Sequence, residues 1–326
     1  MSTQSVVHEV NAPQSVQQTQ QTEIVVKKLR NPFDSATILS VSRKWPKLSK
    51  SISVDQIDVR GETPETDKKK VHVSKDLFDC PELKRLFGHD ADVDSFLFRY
   101  CVPFPLKRAV YLLPMDLFDE VENFLTEHVQ EREPLIEAAV NVYDAAIERA
   151  KVFLGPLFKQ SDYPPKEVFR ASFDFSWQYL EIGVSGKLKE VSADIQAREA
   201  AKMNATYVEA SQAIQALLRT SMGELVNHLV DRLTPGPDGK KKVFRDSMLD
   251  NVNDFLKTFR SRNLTDDTDL ATLVEQAQQL TNGISPENLR TNEGLRDNVQ
   301  RGFEQIKAQL DAMIQVAPTR EIRLTD

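Results

Sequence analysis

Apolar residues recur every three or four positions over most of this chain, the spacing of helices that bury one face. In a few short stretches they alternate or run together, as in strands. ATILSVSRKW (Ala36–Trp45) has the β-branched content of a strand, which Pro46 ends or confines to a sheet edge. VHVSK (Val71–Lys75) and AVYLLP (Ala109–Pro114) are two more short candidates. From Ser172 to Val184, Phe173, Phe175, Trp177 and Tyr179 fall on every second residue, so in a strand the four rings share a face. Beside the other candidates, this stretch is expected to be the central strand of a small sheet, with its rings buried.

The helical runs are longer. Asp79-Cys80-Pro81-Glu82 opens one, with proline in the first turn where its missing N–H costs nothing. Leu83, Leu86 and Phe87 form its apolar side, and a second piece covers Val93 to Tyr100. Leu117 to about Leu154 carries a stripe through Phe118, Val121, Leu125 and His128 and on to Phe153. Pro134 interrupts that run, and a kinked continuous helix of roughly 57 Å is expected in preference to a hairpin. A second long helix from about Leu188 to Leu233 keeps an apolar spacing near 3.5, as in a coiled coil. TPGPDGKKK (Thr234–Lys242) reads as a linker to three further helical pieces that pack back on the long helices.

These elements predict a mostly α protein with a small β element, an α+β fold. A disordered tail (1–23) precedes a small mixed head (24–113) and a long helical region forming a hairpin or coiled-coil stalk (114–233). The linker (234–242) then leads to a C-terminal helical bundle (243–326).

Composition narrows the function more by exclusion than by indication. Forty-nine acidic against 42 basic residues give a net charge of −7, which argues mildly against nucleic acid as the main partner. Eleven glycines are few for a doubly wound or phosphate-cradling fold. Cys80 and Cys101 form no CxxC, no secretory leader is evident, and no apolar run approaches a membrane span. A soluble, cytoplasmic protein that does not enter membranes is expected.

The motifs of known chemistries are incomplete. The five histidines form no HxxxH or HExxH pair, so no metal is expected. His128 and His228 lie on or beside the stripes of the long helices, the place of half-buried packing histidines. Asp90, Asp92 and Asp94 imitate the start of a calcium loop. Ser95 and Cys101 then stand where glycine and glutamate are needed, which leaves a solvated carboxylate cluster. Pro237-Asp238-Gly239-Lys240 is followed by Lys241 instead of Ser or Thr, so no nucleotide loop is present. Glu120 and Glu122 look like an exposed face. No catalytic residue and no cofactor is assigned. The basic residues Arg43, Lys44, Lys68, Lys69 and Lys70, with Trp45 as a stacking platform, are the candidate contacts if nucleic acid is bound.

The order ILSVSRKWPKLSK, KDLFDCPELKRL, AVYLLPMDLFDEVENFL, YPPKEVF, FDFSWQYLEI and FRDSMLDNVNDFL resembles the bacterial and phage family called domain of unknown function 3150, over about residues 35 to 265. The resemblance implies no known activity and carries over no catalytic residues. It implies a neighbourhood of MoxR-type AAA+ ATPases and von Willebrand A-domain proteins. With the long helices, it leads to a non-enzymatic adaptor or scaffold that binds such a partner or its own copies. A nucleic-acid-associated accessory factor of a phage or mobile element is the alternative.

Overall fold

The computed structural model describes residues 31–54, 71–104 and 109–315. It is mostly helical, with a small antiparallel sheet. The strands are β1 (Ala36–Lys44), β2 (Ser49–Ile52), β3 (Val73–Asp76), β4 (Val102–Pro103), β5 (Val110–Pro114) and β6 (Asp174–Leu180). β2 and β3 pair with each other, and the remaining four form a sheet in the order β4-β5-β1-β6.

β1 is therefore central and the aromatic strand β6 is an edge, the reverse of the expectation from sequence. The reason lies in the residues between the rings. β1 is apolar on both faces: Ile38 packs towards the C-terminal helices, while Leu39 and Val41 pack towards the opposite side. In β6 the rings alternate with exposed Ser176 and Gln178, so the strand offers one apolar face and settles at the edge. Phe175, Trp177 and Tyr179 are half-buried there.

Among the described residues, four α-helices precede β6: α1 (Pro81–Tyr100), α2 (Phe118–Asn141), α3 (Tyr143–Leu154) and α4 (Lys166–Ala171). Six follow it: α5 (Leu188–Val191), α6 (Ala193–Leu233), α7 (Asp246–Arg262), α8 (Thr268–Thr281), α9 (Pro286–Thr291) and α10 (Glu293–Gln315). α1 is one continuous helix where two pieces were expected. The first long helix does continue through Pro134 but ends at Asn141. Both Pro134 and Gln130, whose carbonyl loses its partner to the proline, are exposed to water. Val142 leaves helical geometry (φ −92°, ψ 1°) and separates α2 from α3. Gly155, at φ +50°, then turns the chain out of α3, a conformation that a side chain would resist. The second long helix is likewise divided at Ser192, whose hydroxyl caps α6 by accepting from the Ile195 amide at 3.4 Å.

Apart from the amino-terminal half of α6, which buries no side chain, the helices pack into the fold instead of standing free as a stalk. α1 and α2 cover one face of the sheet through Val93, Leu97, Val121 and Leu125. The carboxyl half of α6, with α7, α8 and α10, covers the other through Ile214, Leu218, Phe255 and Phe303. The result is a three-layer arrangement with the sheet in the middle. A third cluster, around Leu86, Tyr143 and Phe169, joins the start of α1 to α3 and α4. At the expected linker the chain makes a turn, with Gly239 at φ +73°. Arg296 of α10 donates to the carbonyls of Arg232 (2.6 Å) and Leu233 (3.0 Å), tying the end of α6 to the last helix.

Candidate functional site

Each helix pair covering the sheet carries a charge on its apolar stripe, and those charges define the two places of interest. On α1 the buried stripe runs Leu83, Leu86, Asp90, Val93, Leu97. On α2 it runs Val121, Leu125, His128, Arg132, Ile136. Asp90 is thus buried in a helix interior, not part of a solvated cluster as its sequence suggested. Its Oδ1 accepts from Arg132 Nε (2.9 Å) and His128 Nε2 (3.2 Å), and its Oδ2 from Arg132 Nη2 (3.2 Å) and Trp45 Nε1 (2.6 Å). Because an ionised carboxylate only accepts, His128 carries its proton on Nε2. Burial works to raise the Asp90 carboxyl, but the bonds from His128, Arg132 and Trp45 outweigh it and hold the pKa at about 2. His89 stacks on His128 at 4.1 Å and donates to the His128 carbonyl at 3.3 Å. His128 is accordingly fully buried, where a half-buried ring was expected.

Of the candidate nucleic-acid contacts, this network takes up Arg43 and the indole N–H of Trp45. Arg43 donates to the Asp90 carbonyl at 2.9 Å and forms an ion pair with Asp94. Trp45 spends its N–H on Asp90 and packs edge-on against Phe87. Lys44 pairs with Asp174 at 3.0 Å and stays exposed. Lys68, Lys69 and Lys70 lie outside the described residues, as does the expected tail 1–23. Glu122, expected on an exposed face, is half-buried and accepts from Trp177 Nε1 (2.9 Å) and the Tyr179 hydroxyl, pinning β6 to α2.

The second place is a cleft of about 950 Å³ between α1, α6 and α7. Phe98, Leu225 and Phe255 supply its apolar surface, and Arg99, Asp254 and Arg262 are among its charged residues. Arg99 and Asp254 pair across it at 3.1 Å. Arg262 continues the buried stripe of α7 (Val252, Phe255, Phe259, Arg262) and is only 2% exposed. Its Nε and Nη2 have no hydrogen-bond partner among the described residues. The guanidinium lies 5.5 Å from the Phe255 ring, and burial lowers its pKa to about 10, so it remains a cation at neutral pH.

Neither Arg132 nor Arg262 was singled out from sequence, although both interrupt apolar stripes with a charge. Burial raises the Cys80 thiol and pushes Cys101 up to about 12, so neither is poised as a nucleophile. Among the described residues no group of three His, Cys, Asp or Glu side chains could hold a metal, and no helix is long and apolar enough to cross a membrane. No protein-family model, curated protein or solved structure matches the chain.

Proposed function

We propose that this protein is a non-enzymatic adaptor or scaffold that holds a partner protein on the amino-terminal half of α6. One observation carries the reading. Every buried residue of α6 lies at Ala210 or beyond, leaving its first seventeen positions, Ala193 to Glu209, without a buried side chain. On that half Ala197, Ala201, Ala205 and Val208 are exposed and share one face at helical spacing, a surface on which a second helix can approach closely.

The resemblance to domain of unknown function 3150 suggests the partner, a MoxR-type AAA+ ATPase or a von Willebrand A-domain protein in the cytoplasm. Self-association through the same face, in coiled-coil fashion, is the other form this binding takes. The alternative, a nucleic-acid-associated accessory factor, has to work with Arg43 and the Trp45 N–H engaged within the fold, although Trp45 stays 44% exposed and Lys44 is exposed. The test is co-purification of the tagged chain from its own host, with and without charged residues on the α6 face. Specific recovery of a partner that the charged variant loses supports the reading. Recovery of the protein alone and monomeric at micromolar concentration overturns it.

A further inference from the structure

We propose that the cleft between α1, α6 and α7 is a binding site for an amphipathic monocarboxylate, whose apolar body lies against Phe98, Leu225 and Phe255 and whose carboxylate meets Arg262. The inference is independent of the partner-binding reading and concerns a small molecule.

Arg262 is the starting point. A buried guanidinium is costly unless paired and hydrogen-bonded, and native proteins almost always satisfy such groups. Two other arginines in this fold show how it does so. Arg132 grips Asp90 with Nε at 2.9 Å and Nη2 at 3.2 Å. Arg219 grips Asp267 with the same edge, Nε at 2.7 Å and Nη2 at 3.0 Å. In Arg262 the identical Nε and Nη2 edge is buried and has no acceptor among the described residues. That edge matches a carboxylate in shape and charge, two parallel N–H donors to two oxygens.

The rest of the cleft leaves Arg262 as its unmatched interior cation. Arg99 is paired with Asp254, and Asp94 with Arg43. Of the cleft's lining charges, Arg262 is the buried one, whereas Asp94, Arg99 and Glu224 sit exposed at its rim. A dianion such as a phosphate monoester would meet those rim carboxylates with a second negative charge, so a single carboxylate suits the site better. The apolar wall is accessible: Phe98 is 49% exposed at the cleft although it is a large ring. Nε and Nη2 themselves are out of solvent, so the ligand meets them once the guanidinium turns that edge into the cleft. No hydrogen bond from Nε or Nη2 has to break for this, although the contact with the Phe255 ring does.

The experiment uses the full chain with 4-phenylbutyrate, its neutral amide, and 4-phenylbutyl phosphate as probes. Calorimetric titration gives affinity, and ¹H–¹⁵N spectra follow the arginine Nε–H signals, with that of Arg262 assigned by its loss in Arg262→Met. Saturable binding of the carboxylate that shifts the Arg262 signal is expected. Loss of the ligand charge or of the arginine should each weaken it by about tenfold or more, the worth of a charge-assisted pair. Equal binding of amide and carboxylate, or undiminished binding to Arg262→Met, overturns the assignment of the arginine. Tighter binding of the phosphate overturns the monocarboxylate, and absence of saturable binding by all three overturns the site. Arg262→Met removes a charge without a hydrogen-bonded partner among the described residues and is expected to fold; should it not, the carboxylate-to-amide affinity ratio on the wild-type protein decides the matter alone.

Discussion

Arg132 on α2 holds Asp90 on α1 through two hydrogen bonds of 2.9 and 3.2 Å, inside a helix interface closed to solvent. Trp45, just beyond the central strand, adds a third bond and His128 a fourth. One carboxylate thereby fixes the register of two helices and the end of the strand between them. Removing it leaves a buried guanidinium with nothing to bind. Asp90→Ala should therefore destabilise the protein by about 3–5 kcal/mol, read from urea denaturation. Replacing both partners, Asp90→Leu with Arg132→Met, should cost less than the single change, since no charge is stranded. A single substitution costing under about 1 kcal/mol would show that the network is not holding the interface.

The same carboxylate gives the protein a defined acid limit. Its folded pKa of about 2 lies below the ordinary 3.8, so the native state favours the deprotonated form. The resulting stabilisation is complete above roughly pH 4 and is lost as pH falls through 2; at this shift it amounts to about 2 kcal/mol. Asp162, lowered by Lys50 and Lys75 against its own desolvation, acts in the same direction. Midpoints of chemical unfolding should fall between pH 4 and 2 in the wild type, and less steeply in Asp90→Asn. Parallel slopes for the two proteins would assign the acid sensitivity elsewhere.

Much of the fold was legible because apolar spacing follows burial. The stripes of α1, α2, α7 and α10 and the two-faced apolar content of β1 are visible in the residues themselves. The edge position of β6 was legible too, in Ser176 and Gln178, but four aromatic rings drew attention from the polar residues between them. What periodicity alone does not tell is where a helix stops when no strong breaker marks the place, as at Val142 and Ser192. Nor does it tell which stripe charge finds a partner. Asp90, Arg132 and Arg262 look alike in sequence, each a charge on an apolar stripe. Their difference arises when the packing of separate elements brings the first two together and leaves Arg262 without an acid.

That difference has a stability signature. Arg262→Met removes a desolvated charge without a counterion and should leave the protein unchanged or more stable by about 1–3 kcal/mol. Arg219→Met removes one half of a buried pair whose Asp267 also caps α8, and should destabilise by about 3 kcal/mol or more. Thermal unfolding of the two variants side by side checks this. Destabilisation by both to the same degree would mean that Arg262 has a partner in solution.

The cysteines give an independent measure of the core. Cys80 and Cys101 are both free and buried, and burial holds both thiols in the protonated form at neutral pH. Neither should react with a disulfide reagent on the native protein within minutes, and both should react on unfolding in urea. Cys101, packed between β1, α1 and α2, should react only at the rate of global opening, whereas Cys80, just ahead of the first turn of α1, should be reached by local fraying. Fast labelling of Cys101 in native buffer would contradict the layer arrangement around the sheet.

Binding and folding should separate cleanly on α6. Ala201 and Val208 lie on the open face of its amino-terminal half and are exposed, Val208 by 50%. Ala201→Glu with Val208→Glu keeps good helix formers in the helix and touches no buried residue, so its effect on stability should stay within about 1 kcal/mol. A helix packing on that face would have to bury two carboxylates without counterions, which should lower partner affinity at least about a hundredfold. Leu218→Ala, at a buried position further along the same helix, is the control with the opposite profile. It should cost about 2–5 kcal/mol in stability while leaving the partner's contact face intact. Capture that survives the double glutamate variant, with its melting temperature unchanged, would move the contact away from α6 altogether.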